Sequence, residues 1–207
     1  MYLEHVPKIA AAMRADYPTF ERGVMFAILS ARVQFSRMPD QCKELERRSD
    51  KAGCLWSWKY RAYCELRERG LAMHGAMTCF TDPVDALEHI TSLYGLGLVK
   101  GAFVCQLMGY DVACLDIRNV KREGLDQRGW EYEKNGRWRK HCERYVAATL
   151  GRAQELWDAW CTEVGPDYGM TPEACSQLHL DLILNYSRRL KSLSPAKVQI
   201  RNEEVPY

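Results

Sequence analysis

The chain has no C-x-x-C pair, although it carries nine cysteines, at positions 42, 54, 64, 79, 105, 114, 142, 161 and 175. A structural zinc site draws two ligands from one tight turn, so this scatter argues against closed zinc ligation. Cys142, Cys161 and Cys175 are likewise too few and too scattered for a C-terminal iron–sulfur cluster. The thiols read as reduced, mostly buried, small apolar side chains. No apolar run approaches the roughly 20 residues that span a bilayer. The opening MYLEHVPKIAAAMRADYPTF carries acids early and lacks a basic n-region and an unbroken apolar h-region. A cytoplasmic protein with no membrane partner is expected. Period-two alternation, internal repeats and low-complexity tracts are missing too, which removes the β-rich and solenoid classes.

What is present reads as helix nearly throughout. Thr19 is a candidate cap for FERGVMFAILSARV, whose apolar stripe through Phe20, Val24 and Ile28 suits a central core helix. Pro39 suits the first turn of PDQCKELERR, and WSWKYRAYCELRERG reads as a helix stopped by Gly70. Asp82-Pro83 opens PVDALEHITSLY, with Val84, Leu87, Ile90 and Tyr94 on one face. After Gly95 and Gly97, LVKGAFVCQLMG resumes the helical period. RKHCERYVAATLG, RAQELWDAWCTEVG and TPEACSQLHLDLILNYSRRLKS follow, the last opened by Thr171-Pro172-Glu173. These signals predict one all-α domain over 1–193 with a helical hairpin at 83–109, and a polar tail over 194–207.

The net charge is only +2, so the molecule is no polycation. Within 118–144, however, Lys and Arg outnumber Asp and Glu and are interleaved with Trp130, Tyr132 and Trp138. Cations meeting phosphates and rings stacking on bases would suit a nucleic-acid groove. A solvated loop and helix face is the commoner use of such a stretch.

The most informative segment is 87–120, LEHITSLYGLGLVKGAFVCQLMGYDVACLDIRNV. Its turn, Tyr94-Gly95-Leu96-Gly97, lets backbone N–H groups approach a partner closely. The helix starting there points orphan donors and its positive dipole end the same way, a geometry that suits phosphate. Sixteen residues past Lys100, Asp116 follows the apolar Ala113-Cys114-Leu115.

This order resembles the helix-hairpin-helix DNA glycosylase superfamily, in which a G-V/I-G hairpin and an apolar helix precede a V-D-T-H sequence. The aspartate of that sequence lies in the cleft that receives the flipped base, and Asp116 matches it. The helix ending Ser30-Ala31-Arg32 resembles the family's L-S-A-Q helix. The resemblance spans roughly residues 20–190 and implies two helical lobes around a cleft. Bifunctional members carry a nucleophilic lysine where this chain has Val99, with Lys100 one residue later and about 100° around the helix. Closer still, GLGLVKGAF…CLDIRN is similar to the bacteriophage alpha-glutamyl/putrescinyl thymine pyrophosphorylases, or amino acid:DNA transferases. Gly95, Gly97, Lys100, Phe103, Cys114, Asp116 and Asn119 match their motif, and Arg118 stands in place of its histidine.

The resemblance implies an enzyme that puts an amino acid or small amine onto pyrophosphorylated 5-hydroxymethyluracil in DNA. Asp116, Lys100 and Asn119 become the catalytic candidates. Gly95, Leu96, Gly97, Lys100, Arg118 and Arg137 become DNA contacts, and Arg32, Gln34 and His179 pocket candidates. Each has a plainer use: Asp116 as a helix cap, Lys100 as a surface lysine, His179 as a satisfied buried histidine, Trp157 and Trp160 as core. No metal or organic cofactor is expected, a monovalent cation at the hairpin turn being the one candidate, and the protein is expected to be a monomer. Two further readings stay open: a monofunctional glycosylase, and a DNA-binding module without chemistry.

Overall fold

A computed structural model describes residues 1–31, 33, 37–41, 57–125 and 137–184. These are helical, with no strand among the described residues. In chain order the helices are α1 (Tyr2–Ala15), α2 (Tyr17–Leu29), α3 (Ser57–Cys79), α4 (Pro83–Ile90) and α5 (Leu98–Leu107). α6 (Ile117–Arg122), α7 (Trp138–Thr149), α8 (Ala153–Asp167) and α9 (Pro172–Leu184) follow. No helix among the described residues is long and apolar enough to cross a membrane. Arg32, Gln34, Trp130, Tyr132, most of PDQCKELERR and the tail lie outside the described residues.

The starts of these helices follow local chemistry. Asp82 accepts the Val84 N–H at 2.8 Å ahead of Pro83, and Thr171 Oγ1 accepts the Ala174 N–H ahead of Pro172. Two expectations need correction. Asp16, rather than Thr19, caps α2: its carboxylate takes both the N–H and the hydroxyl of Thr19, at 2.9 and 2.6 Å. A charged acceptor three residues upstream outcompetes the threonine hydroxyl. Gly70 does not stop a helix, since α3 runs through it to Cys79. A Cβ there would press on the Tyr17 hydroxyl and on Leu66, so the glycine serves close packing of α3 on α2.

The core forms around α5. Leu98 and every residue from Gly101 to Leu107 are buried. α5 packs on α1, α2 and α4, while α4 also packs on α7, and α8 and α9 close against each other and α1. The chain reaches α5 through a tight hairpin. α4 ends at Ile90, earlier than the expected Tyr94, and the connection continues in short turns: Ser92 N–H to His89 C=O, Leu93 N–H to Ile90 C=O, Leu96 N–H to Leu93 C=O. Gly95 takes φ +83°, which glycine alone adopts readily, and sits against Trp58 and Ala62 of α3. Gly101 faces Thr91, Leu87 and Ile90 across the hairpin, where a Cβ would overlap the Thr91 methyl.

α7 is pinned onto this hairpin. Trp138 Nε1 donates to Thr91 Oγ1 at 2.9 Å, and Arg139 bridges Asp85 and Glu88 of α4, both at 2.8 Å. Gly101→Ala should therefore destabilise the protein by about 1–3 kcal/mol through overpacking. A urea midpoint left unchanged by this substitution would contradict the close hairpin crossing.

Candidate functional site

Asp116 stands at the head of α6, at the end of an extended segment that follows α5. Three hydrogen bonds hold that segment, and a fourth anchors one of its braces. The Cys114 N–H donates to Gln106 Oε1 at 3.2 Å and the Leu115 N–H to the Tyr145 hydroxyl at 2.7 Å. The Cys114 carbonyl accepts Asn119 Nδ2 at 2.6 Å, and Gln106 Nε2 donates to the Ala153 carbonyl at 2.9 Å. Gln106, Asn119 and Tyr145 are all buried, so the segment is braced from α5, α6 and α7 at once.

The carboxylate itself is placed twice over. Oδ1 accepts the N–H groups of Arg118 and Asn119, at 3.1 and 3.0 Å. Oδ2 accepts the indole N–H of Trp160 on α8 at 2.6 Å. A carboxylate has about four lone-pair sites, so three donors leave one for a substrate. Asp116 is thus a helix cap as well as a fixed, half-buried carboxylate. Trp160, expected to be plain core, is the residue that sets its orientation.

His179 on α9 lies in an aromatic box. Its ring centroid is 4.8 Å from Trp157, 5.3 Å from Trp160, 5.4 Å from Phe26 and 6.1 Å from Phe103. Nδ1 donates to the Cys175 carbonyl at 3.0 Å, which selects the tautomer with Nε2 as acceptor. Burial first, then the positive charge of Lys100, brings its pKa down to about 4, so it is a neutral imidazole at pH 7. Lys100 is half-buried, donates from Nζ to Ser30 Oγ at 2.8 Å, and its charge also reaches the thiol of Cys114, itself half-buried. The net effect of burial holds that thiol at about 12. Lys100, Cys114, Asp116, Trp160 and His179, from three helices and one connecting segment, therefore share a neighbourhood.

Other candidates are placed differently. Asn119 is committed to the Cys114 carbonyl and to Arg122, the latter at 2.5 Å, which makes it a brace for the Asp116 segment. Arg118 pairs with Glu163 and Asp167 of α8 at 3.2 and 2.6 Å, so its guanidinium is engaged within the protein. The side chain of Leu96 is buried and its N–H bonds to Leu93, which removes it as a side-chain contact to DNA. Gly97 is exposed, and a Cβ on it would meet nothing within 4 Å. Arg137 is exposed at the start of α7. Of the basic 118–144 stretch, Arg118, Arg122 and Arg139 sit in ion pairs, closer to the solvated-face reading than to a phosphate groove. No cluster of His, Cys, Asp and Glu among the described residues is arranged to hold a metal ion.

No protein-family model, no curated protein and no solved structure matches this chain.

The neutral state of His179 has a consequence for stability. Between pH 6.5 and 4 the unfolded chain's histidine takes up a proton that folded His179 refuses. Stability therefore falls as pH drops through that window, by up to about 3 kcal/mol. Urea midpoints at pH 7 and 4.5 should show the fall in the native protein and a shallower one in His179→Gln; equal slopes would remove His179 as its source.

Proposed function

We propose that this chain is a helix-hairpin-helix, DNA-glycosylase-type enzyme that transfers an amino acid or small amine onto a pyrophosphorylated 5-hydroxymethyluracil base in DNA. The observation that carries the reading is the gathering of the fixed Asp116 carboxylate, Trp160 and Lys100 around Cys114, with Lys100 in the first turn of the helix that starts at an open glycine hairpin. A flat base extruded from the duplex would find a stacking surface in Trp160, the half-buried ring of this group.

In the proposed step the amine nitrogen attacks the exocyclic methylene carbon. A C–N bond forms, the C–O bond to pyrophosphate breaks, and pyrophosphate leaves with the bonding electrons. The nitrogen's surplus proton passes to Asp116, a general base held within reach by Trp160 and the cap hydrogen bonds. Lys100 offsets the negative charge growing on the leaving group. The Gly95–Gly97 turn grips a backbone phosphate through main-chain N–H groups of the first turn of α5.

Asp116→Asn keeps an oxygen for capping but loses the base and opposes Trp160 with an amide N–H. Turnover should fall by at least 10²-fold, with DNA affinity kept and a stability cost of about 1 kcal/mol. Mass spectrometry of nucleosides from DNA carrying the pyrophosphorylated base, treated with enzyme and amine, should give a heavier nucleoside and free pyrophosphate. Free base and abasic sites without any amine would instead identify a monofunctional glycosylase.

The hairpin makes a separate prediction. Gly97 is extended, at φ −93° and ψ −173°, and its Cβ position is open, so Gly97→Val folds without internal clash. Its side chain then stands between backbone and phosphate. Duplex affinity should drop roughly tenfold and the salt slope should become shallower by about one phosphate. A folded Gly97→Val protein with unchanged affinity and slope would take the phosphate contact away from this turn.

A further inference from the structure

α3 is fastened to the glycine hairpin by its first turns. Gly95 sits against Trp58 and Ala62, and the Tyr94 N–H donates to Glu65 Oε2 at 3.0 Å. Between these contacts Arg61 lays its guanidinium over the Tyr94 ring, 4.0 Å from the ring centroid. Tyr94 is half-buried and opens the turn, whereas Arg61 is exposed. A guanidinium stacked by its face keeps its N–H groups in the plane of the fork, where they suit the oxygens of a phosphate.

An acid would draw the guanidinium off the ring, and the best placed is Glu65, one helical turn on. That carboxylate is occupied by Arg69 and by the Tyr94 N–H. Arg61 is thus aligned by a ring at the turn, while Arg118 and Arg139 are held by carboxylates and Lys100 turns toward Ser30. The turn itself offers a phosphate only main-chain N–H groups, which carry no net charge. Phosphate contacts in nucleic-acid complexes draw much of their strength from Arg and Lys. Tyr94 and Gly97 are three residues apart, at most about 11 Å of chain, so the stacked arginine and the exposed Gly97 can face one strand.

We infer that Arg61 is the side-chain cation of the hairpin turn and contacts a backbone phosphate of the strand seated there, with Tyr94 as its positioning residue. That the strand is DNA rests on the function proposed above; the stacking of Arg61 at the turn does not.

An unmodified DNA duplex is titrated into the full-length protein over a series of salt concentrations. Arg61→Gln should bind about fivefold more weakly, with a salt slope shallower by about one phosphate. Its urea midpoint should stay unchanged, because the side chain is exposed. A merely structural role would do the reverse, moving the midpoint and leaving the slope alone. Arg61→Lys keeps the charge without the flat stack, so the slope should return while affinity stays below that of the native protein. Tyr94→Leu keeps the arginine and removes the ring, so affinity should fall about threefold with the slope retained. A folded Arg61→Gln protein with native affinity and slope would overturn the contact, even if Gly97→Val weakened binding in the same assay. Should Arg61→Gln fail to fold, native affinity in both Arg61→Lys and Tyr94→Leu would overturn it instead. A native protein that binds no duplex would overturn it together with the proposed function. Affinity and slope that fall in Arg61→Gln, in a protein that leaves every base unchanged, would keep the contact and remove the base-transfer reading.

Discussion

The burial of α5 constrains the rest of the molecule. Eight of its ten residues are inside, so neighbours must cover it from several directions. On one side that requires α4 to lie close enough for Gly101 to touch Thr91, and on another it brings α2 across Phe103 and Lys100. A helix so enclosed has little freedom at its ends. Its N-terminus is delivered at an exposed glycine turn, and its C-terminus feeds the braced segment carrying Asp116. The segment after α5 brings Asp116 back to the neighbourhood of Lys100 in that helix's first turn, so hairpin and carboxylate are both fixed by one rigid element.

The chemistry around Asp116 depends on which neighbours are charged. His179 and Cys114 are held neutral by burial, and Arg118 is tied to Glu163 and Asp167 on α8. The carboxylate shares the neighbourhood of Cys114 with the Lys100 ammonium, and an indole is its closest long-range donor. A neutral donor orients the carboxylate without removing its charge, which keeps it available to accept a proton or to balance a developing cation.

Much of the fold was legible because its signals are local. Asp82-Pro83, Thr171-Pro172 and the Gly-Leu-Gly turn act within three or four residues, and each helix start they mark is present. The failures follow the same logic. Asp16 and Thr19 are both good caps, and only the geometry of the entering chain chooses between them. Gly70 carries one local signature for two uses, a helix stop and a close approach, and the second is set by Tyr17, more than fifty residues away. The site divides likewise. Asp116 and Lys100 stood out through the resemblance of the hairpin and the sequence after it, whereas Trp160, Gln106 and Tyr145 act through partners 44, 8 and 30 residues distant. Nothing in their own surroundings distinguishes them from core residues.

The position of Lys100 bears on what kind of reaction the site can support. The bifunctional glycosylases that this sequence resembles carry their nucleophilic lysine one residue earlier, and here that place is taken by Val99, packed against the core. Lys100 points instead to the end of α2, where Ser30 holds it. With no lysine at the lyase position, the nucleophile comes from outside the chain: water for a glycosylase, an amine for a transferase. Both need a fixed carboxylate, and only the amine route also releases a polyanion, whose charge Lys100 would offset. The absence of a lysine at the lyase position sets both routes apart from a lyase and does not itself choose between them.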